Sequence, residues 1–152
     1  MHVFSKLFLP LLLVAGGAWA QPGPQTALPR LPAVDVYKNP SCGCCGEWVE
    51  HMRKNGFQVR VHETADLSAA RRKTGMPELY ASCHSARIGA YALEGHIPAS
   101  DIKRLLKEQP KALGLAVLAM PPGSPGMEGS QPVPYASLLI QADGSNRIFA
   151  RH

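Results

Sequence analysis

Three of the four cysteines in this chain lie within four residues, in the run Cys42-Gly43-Cys44-Cys45. The run follows a short apolar segment with strand character and precedes a segment of helical periodicity. A cysteine motif at the junction of a first strand and a first helix is typical of thioredoxin-like proteins. The cluster therefore constrains the fold, and it narrows the chemistry to thiol redox exchange or to binding of a soft metal ion.

Residues 1–20 have the features of a secretory signal peptide. Lys6 supplies a positive charge, residues 7–14 are apolar, and Ala18-Trp19-Ala20 forms a small-x-small cleavage site ending at about Ala20. The apolar run is shorter than the roughly 20 residues that span a bilayer, so export with cleavage is favoured over a membrane anchor. We predict a periplasmic protein without stable membrane insertion.

Cleavage leaves about 130 residues, which is enough for one domain with a single core. Residues 21–32 are rich in proline, glycine and glutamine and are predicted to form a flexible lead, so the domain is assigned to residues 33–152. Basic residues are scattered and no aromatic side chains are interleaved with them. This distribution argues against nucleic-acid binding.

Hydrophobic patterning predicts a series of strands and helices within this domain. The predicted strands are 33–37, 57–61 and 86–93, the predicted helices are 43–54, 67–74 and 99–108, and a C-terminal hairpin is formed by 135–141 and 146–150. Ser41 is expected to cap the first helix. The order predicts an α/β fold, a thioredoxin-like domain whose central sheet is flanked by helices and followed by a C-terminal loop and hairpin extension.

The first helix has an apolar stripe at helical spacing, which is expected to be buried and which consists of Cys45, Trp48, Val49 and Met52. Met76-Pro77 precedes the third strand, close to where the thioredoxin-like fold places a cis proline beside the active-site thiols. The sequence leaves the isomer of this peptide bond open.

The cysteine spacing leaves the state of the thiols open. Four cysteines in an oxidising compartment ordinarily form two disulfides, with three pairings available. A purely structural pair of disulfides does not require three thiols in one turn, and a bond between the neighbours Cys44 and Cys45 is strained. Cys42 and Cys45 alone would suit a disulfide exchanger, but Cys44 would interfere with that exchange. Extra thiolates are an advantage for Cu(I), because they can bridge several ions.

Other soft side chains are candidate ligands. Cys83 and His84 precede the third strand, and Met127 lies with Met120 in a loop rich in proline and glycine. His51 is about 10 Å further along the helix than Cys44 and is too far away to share one ion with it. His96 lies in a turn and is interpreted as a solvated or capping residue.

Several motifs together resemble the CopG-type periplasmic copper-resistance proteins, a family long described as a domain of unknown function. The matching segments are Tyr37–Trp48, Ser82–His84, Tyr91–Pro98 and Met120–Glu128. The resemblance extends from about Val34 to the C-terminus. It implies a thioredoxin-like fold that carries a multinuclear copper cluster bridged by cysteines, and the matching thiol positions are Cys42, Cys44, Cys45 and Cys83.

The leading hypothesis is an exported binding protein that sequesters several Cu(I) ions in copper resistance, with other periplasmic copper-handling proteins as further partners. The predicted metal ligands are Cys42, Cys44, Cys45, Cys83, His84 and Met127. The alternative is an enzyme, either a thiol-disulfide oxidoreductase or a copper reductase that uses Cys42 and Cys45. The sequence leaves storage, delivery and redox conversion open, and also whether His51, His96 or Met120 contributes to the site.

Overall fold

The structure is a computed structural model that describes residues 31–129 and 131–152. The predicted signal peptide and residues 21–30 lie outside the described residues. The strands are β1 Val34–Lys38, β2 Val59–Glu63, β3 His84–Ile88, β4 Tyr91–Glu94, β5 Gly114–Ala116, β6 Ala136–Ile140 and β7 Asn146–Arg151. The α-helices are α1 Gly43–Lys54, α2 Leu67–Thr74 and α3 Ala99–Glu108, and one 3-10 turn spans Glu78–Tyr80.

All seven strands form one mixed sheet in the order β2-β1-β3-β4-β5-β6-β7. The β1·β2 and β4·β5 pairs are parallel, and the other pairs are antiparallel. The first four strands, with α1 between β1 and β2 and α2 between β2 and β3, have the thioredoxin-like arrangement. The predicted α/β fold is therefore confirmed, and β6 and β7 form the predicted C-terminal hairpin.

Both faces of the central part of the sheet are covered. Side chains of α1 and α3 share one apolar cluster with Leu93 and Leu115, whereas the neighbouring Ala92 and Ala116 belong to a second cluster with Met76 and Tyr80. Successive residues of a strand point to opposite faces. Hence α1 and α3 cover one face, and the chain that follows α2 covers the other. No helix in the described residues has the length and the apolar character needed to cross a membrane.

Helix α1 begins and ends as its sequence predicts. Trp48 and Met52 are fully buried, and Val49 and Cys45 are buried beside them, as the apolar stripe indicates. The Trp48 indole Nε1 donates to the carbonyl oxygen of Ile97 at 2.9 Å, which satisfies the polar end of an otherwise apolar side chain. The helix starts at the predicted residue, but the prediction for its cap is wrong by one residue, because Cys42 and not Ser41 occupies the N-cap position.

The predicted third strand is two strands in the structure. The run 86–93 is apolar apart from Arg87, but β3 ends at Ile88 and β4 begins at Tyr91, so Gly89 and Ala90 form a two-residue hairpin turn. Gly89 has φ of +55°, a conformation that glycine adopts without strain and that such turns require. Because β3 is antiparallel to both β1 and β4, the start of β3 and the end of β4 lie at the same edge of the sheet as the end of β1.

Two further features differ from the sequence-based expectation. The strand β5 was not predicted, since only three residues form it, and its Gly114 is needed because a Cβ there would collide with the backbone of Ala92 on β4. The described residues contain no cis peptide bond, so the Met76–Pro77 bond is trans. Pro77 instead precedes the 3-10 turn, and Cys83 is the residue directly before β3.

Candidate metal centre

The site lies where β1 ends and β3 begins. These strands are antiparallel neighbours, and Lys38, the last residue of β1, pairs with His84, the first residue of β3. The cysteine run after β1 and Cys83 before β3 therefore meet at one edge of the sheet. The four sulfur atoms all lie within 4.8 Å of one another. The four cysteines predicted from sequence are thus brought together by the topology.

Cys42 and Cys45 form a disulfide, with a Cα–Cα distance of 5.4 Å. Cys44 and Cys83 are free and half-buried, and the Sγ atom of Cys44 lies 3.6 Å from that of Cys42. Of the pairings that the sequence left open, this is the C-x-x-C pairing. Because metals bind the thiolate form, a site with four thiolates requires reduction of this bond by two electrons.

The N-terminus of α1 provides a favourable environment for negative charge. The helix has no acidic residue in its first turn, and its N-cap residue Cys42 makes no side-chain capping hydrogen bond. Unpaired N–H groups at a helix N-terminus carry partial positive charge and stabilise anions. Thiolates of the cysteine run would take the position that acidic residues occupy in many other helices.

Cys83 is surrounded differently. Burial, followed by the nearby Cys44, raises the pKa of its thiol to about 12, so the metal-free thiol is neutral at ordinary pH. A metal that binds here must therefore displace a proton. His96 Nε2 lies 3.0 Å from the Cys83 Sγ atom, and His84 Nδ1 lies 3.4 Å from it. Cys83, His84 and His96 thus form a second group of ligand atoms within 4.8 Å of one another, and Cys83 belongs to both groups.

His96 is the residue that sequence reasoning placed wrongly. It was interpreted as a solvated or capping residue, but it is fully buried. Its Nδ1 donates to the carbonyl oxygen of Pro125 at 2.7 Å, which leaves the Nε2 lone pair directed at the Cys83 thiol. An imidazole fixed in this way through one nitrogen is typical of metal ligands. Two signals in the sequence could have indicated it: His96 lies in the family-matching segment Tyr91–Pro98, and it follows Gly95, which has φ of +75° and turns the chain back after β4.

His84 is fully buried between aromatic rings. Its ring centroid is 4.4 Å from that of Trp48 and 5.2 Å from that of His96. Its Nε2 has no hydrogen-bond partner among the described residues. An unpaired buried nitrogen costs about 1–3 kcal/mol, so a bound ion or water at this position would be favourable. Burial, followed by the neighbouring His96 and Lys38, lowers the pKa of His84 to about 3.

The two methionines of the loop 120–129 are placed differently. The Sδ atom of Met120 lies 3.7 Å from the Cys44 Sγ atom, and this side chain is 44% exposed. Met127, which the sequence favoured as a ligand, is half-buried, and its hydrogen bonds are those of its main chain to Gly123 and Ser124. The structure therefore brings the thioether of Met120 to the cysteine run.

The loop is held against the start of α1. A Cβ atom at Gly126 would lie 2.6 Å from the Cys44 carbonyl oxygen and 2.9 Å from the Trp48 nitrogen, so only glycine permits this approach. His51, by contrast, faces away from the cysteines toward α3, where its Nε2 accepts the N–H of Ala99 at 3.1 Å. It therefore serves as a cap for that helix, whose N-cap residue Pro98 provides no side-chain cap.

Acid is expected to destabilise the metal-free protein. The unfolded pKa of histidine is about 6.5, and burial holds that of folded His84 near 3, so below pH 6.5 only the unfolded chain gains this proton. At pH 5 the expected loss is about 2 kcal/mol from His84 alone, to which His51 and His96 add because burial lowers their pKa values also. The raised pKa of Glu94 acts in the opposite direction.

Urea unfolding of the metal-free protein at a series of pH values would measure this loss. The variant His84→Phe keeps a flat aromatic ring and removes the titrating group, so its stability should decline less steeply between pH 6.5 and 5. A wild-type free energy of unfolding that stays constant from pH 7 to 5 would contradict the prediction.

Residues 80–127 match a family described as "Protein of unknown function, DUF411". Two solved structures are similar over most of the chain: "Copper resistance protein copG- Form 2", with a TM-score of 0.75, and "Copper resistance protein copG- Form 1", with a TM-score of 0.74. Each is 39% identical to this chain, and each alignment covers 80% of this chain and 98% of the other. No curated protein sequence matches it.

Proposed function

The chain belongs to the family of copper resistance protein CopG, and from this premise we propose that it binds Cu(I) at the cysteine site and sequesters it in copper resistance. The two similar structures confirm the family prediction made from the sequence motifs. The observation that carries the proposal is the convergence of four cysteine sulfurs within 4.8 Å at the junction of β1, α1 and β3. Soft sulfur donors select Cu(I) over harder divalent ions.

The donor set fits copper beyond the four sulfurs. The imidazoles of His84 and His96 lie beside the Cys83 sulfur and the thioether of Met120 lies beside the Cys44 sulfur, and all are ligands that copper accepts. We assign Cys42, Cys44, Cys45 and Cys83 as the thiolate ligands and His84 and His96 as imidazole ligands. Met127 stays a ligand prediction from the sequence. Four thiolates that each bridge two ions would hold several Cu(I) ions, in agreement with the cluster that the family resemblance implies.

Export to the periplasm is the second part of the proposal. The charged, apolar and small-x-small features of residues 1–20 support it, and so does the Cys42–Cys45 disulfide, because disulfides persist mainly in oxidising compartments. In that compartment other copper-handling proteins would deliver copper to the site or receive it.

Copper loading of the reduced mature protein tests the proposal. We expect the protein to retain more than one Cu(I) ion per chain after gel filtration against a chelator of moderate affinity, as measured by elemental analysis. A control sample with all thiols alkylated should retain none. Loss of all copper from the unmodified, folded protein to the chelator would refute the proposed function.

A redox function is the second candidate, favoured by the Cys42–Cys45 disulfide at the N-terminus of α1. In a copper reductase the reduced pair would give one electron to each of two Cu(II) ions, yielding two Cu(I) ions, the disulfide and two protons. A thiol donor would then restore the dithiol. Catalytic Cu(II) reduction that depends on such a donor and disappears in Cys45→Ser would support this function, whereas a single stoichiometric turnover would favour binding.

A further inference from the structure

A buried ion pair lies directly behind the cysteine that both ligand groups share. Glu94, the last residue of β4, is fully buried, and Arg71 on α2 is 4% exposed. The Arg71 Nε donates to Glu94 Oε1 at 3.1 Å. Burying two charges costs several kcal/mol per ion before their attraction is counted, so such a pair contributes little to stability compared with apolar side chains. Its hydrogen bonds indicate a different role.

These two side chains hold the backbone of Ser82, the residue before Cys83. The Ser82 N–H donates to Glu94 Oε1 at 2.7 Å, and the Ser82 carbonyl accepts from an Arg71 terminal nitrogen at 3.2 Å. The Ser82 hydroxyl donates to the Ala119 carbonyl at 3.0 Å, next to Met120. Every polar group of Ser82 is therefore paired. Its bonds to Glu94 and Arg71 are charge-assisted, and such hydrogen bonds are stronger than neutral ones.

The same carboxylate also holds the chain on the other side of Cys83 and His84. Its Oε2 accepts the Ser85 hydroxyl at 2.5 Å. Glu94 is followed by Gly95, whose N–H donates to the His84 carbonyl at 3.1 Å, and then by His96. One side chain thus connects the segment that carries the Cys83 thiol with the turn that carries the His96 imidazole, which lie 3.0 Å apart.

We propose that Glu94, held by Arg71, is a positioning residue that sets the spacing of Cys83 and His96 in the copper site. The inference rests on the proposed Cu(I) binding. Among the described residues the Glu94 carboxylate makes no hydrogen bond to the four sulfurs or to the imidazoles, and it acts through Ser82 and Ser85. Mutation of residues that orient metal ligands from outside typically lowers the metal affinity by about 10–100-fold. Here the effect would arise because Glu94 keeps Cys83 in place.

The variant Glu94→Gln tests the inference, because it keeps the size of the side chain and removes its charge. The matched control is Glu78→Gln, since Glu78 also pairs with Arg71, at 2.8 Å, but is exposed and does not contact Ser82 or Ser85. In the metal-free reduced protein, amide hydrogen exchange of Ser82 should become about tenfold faster in Glu94→Gln, as expected for loss of about 1.4 kcal/mol of protection. Exchange in Glu78→Gln should stay at the wild-type rate.

The copper-loaded proteins provide the second readout. Alkylation mapped by mass spectrometry should find Cys83 protected in wild type and in Glu78→Gln but labelled in Glu94→Gln, with Cys42, Cys44 and Cys45 still protected. The Cu(I) affinity of Glu94→Gln should fall about tenfold or more. A merely structural Glu94 would lower the denaturation midpoint without changing this residue-specific pattern.

Each outcome decides the inference. Wild-type exchange of Ser82 or wild-type protection of Cys83 in folded Glu94→Gln would overturn it. Should Glu94→Gln not fold, Ser85→Ala removes one donor and leaves the charges paired, and it should give a smaller increase in both readouts; no increase would overturn the inference. If wild type retains no copper, the proposed function fails and the copper role of Glu94 fails with it, whereas Ser82 exchange still shows whether Glu94 fixes this segment.

Discussion

Replacing Cys83 by serine is expected to lower the affinity of the reduced protein for Cu(I) by more than about 100-fold, or about 2.8 kcal/mol. Cys83 belongs both to the four-sulfur group and to the group with His84 and His96, so its loss affects both. A serine hydroxyl is a hard, neutral donor that does not replace a thiolate for Cu(I). The remaining three sulfurs would be left without a connection to the imidazoles.

Competition with a chromophoric Cu(I) chelator, under anaerobic reducing conditions, measures this loss. Cys44→Ser is the matched comparison, because Cys44 belongs to the four-sulfur group alone and Met120 remains beside it. We expect its affinity to fall less than that of Cys83→Ser. Equal affinities of Cys83→Ser and wild type would rule out Cys83 as a ligand and would leave the site to the cysteine run.

Reduction of the Cys42–Cys45 disulfide is expected to increase copper retention at least about twofold. The oxidised protein offers two free thiols, Cys44 and Cys83, whereas the reduced protein offers four. The two added thiolates lie at the N-terminus of α1, where partial positive charge favours them. Anaerobic loading of both forms with Cu(I), followed by elemental analysis and thiol counting, gives the ratio.

The double variant Cys42→Ser/Cys45→Ser provides the control for this experiment. It cannot form the disulfide, so its copper content should be the same with and without reductant and should be close to that of the oxidised wild type. If the oxidised and reduced wild type retain equal amounts of copper, the Cys42–Cys45 pair is not part of the metal site and the redox candidate gains support.

The parts of the site that are local in sequence could be predicted from it. The stripe of Trp48, Val49 and Met52 defines α1 by its own periodicity, and the cysteine run at its start is then fixed at a helix N-terminus. The approach of Cys83 follows from thioredoxin-like topology, which places the end of β1 beside the start of β3. Both inferences require only local patterns and a strand order.

The remaining features depend on contacts between distant residues, which no local pattern encodes. His96 owes its burial and orientation to Pro125, 29 residues later, and its contact with Cys83 spans 13 residues. The division of residues 86–93 into β3 and β4 depends on a glycine turn that periodicity does not detect. The choice of Met120 as the neighbour of Cys44 depends on how the loop after β5 folds back.

The contacts of that loop have a consequence for the order in which the chain matures. Cys44 and Met120 are 76 residues apart, so the loop that reaches Cys44 and His96 is synthesised well after the cysteine run. Contacts of such long separation form late, because much of the chain must be ordered before they close. The three thiols of the cysteine run therefore emerge long before their surroundings exist. On the proposed function, copper captured before this loop folds back would meet thiols without their imidazole partners, so productive loading would belong to the folded protein.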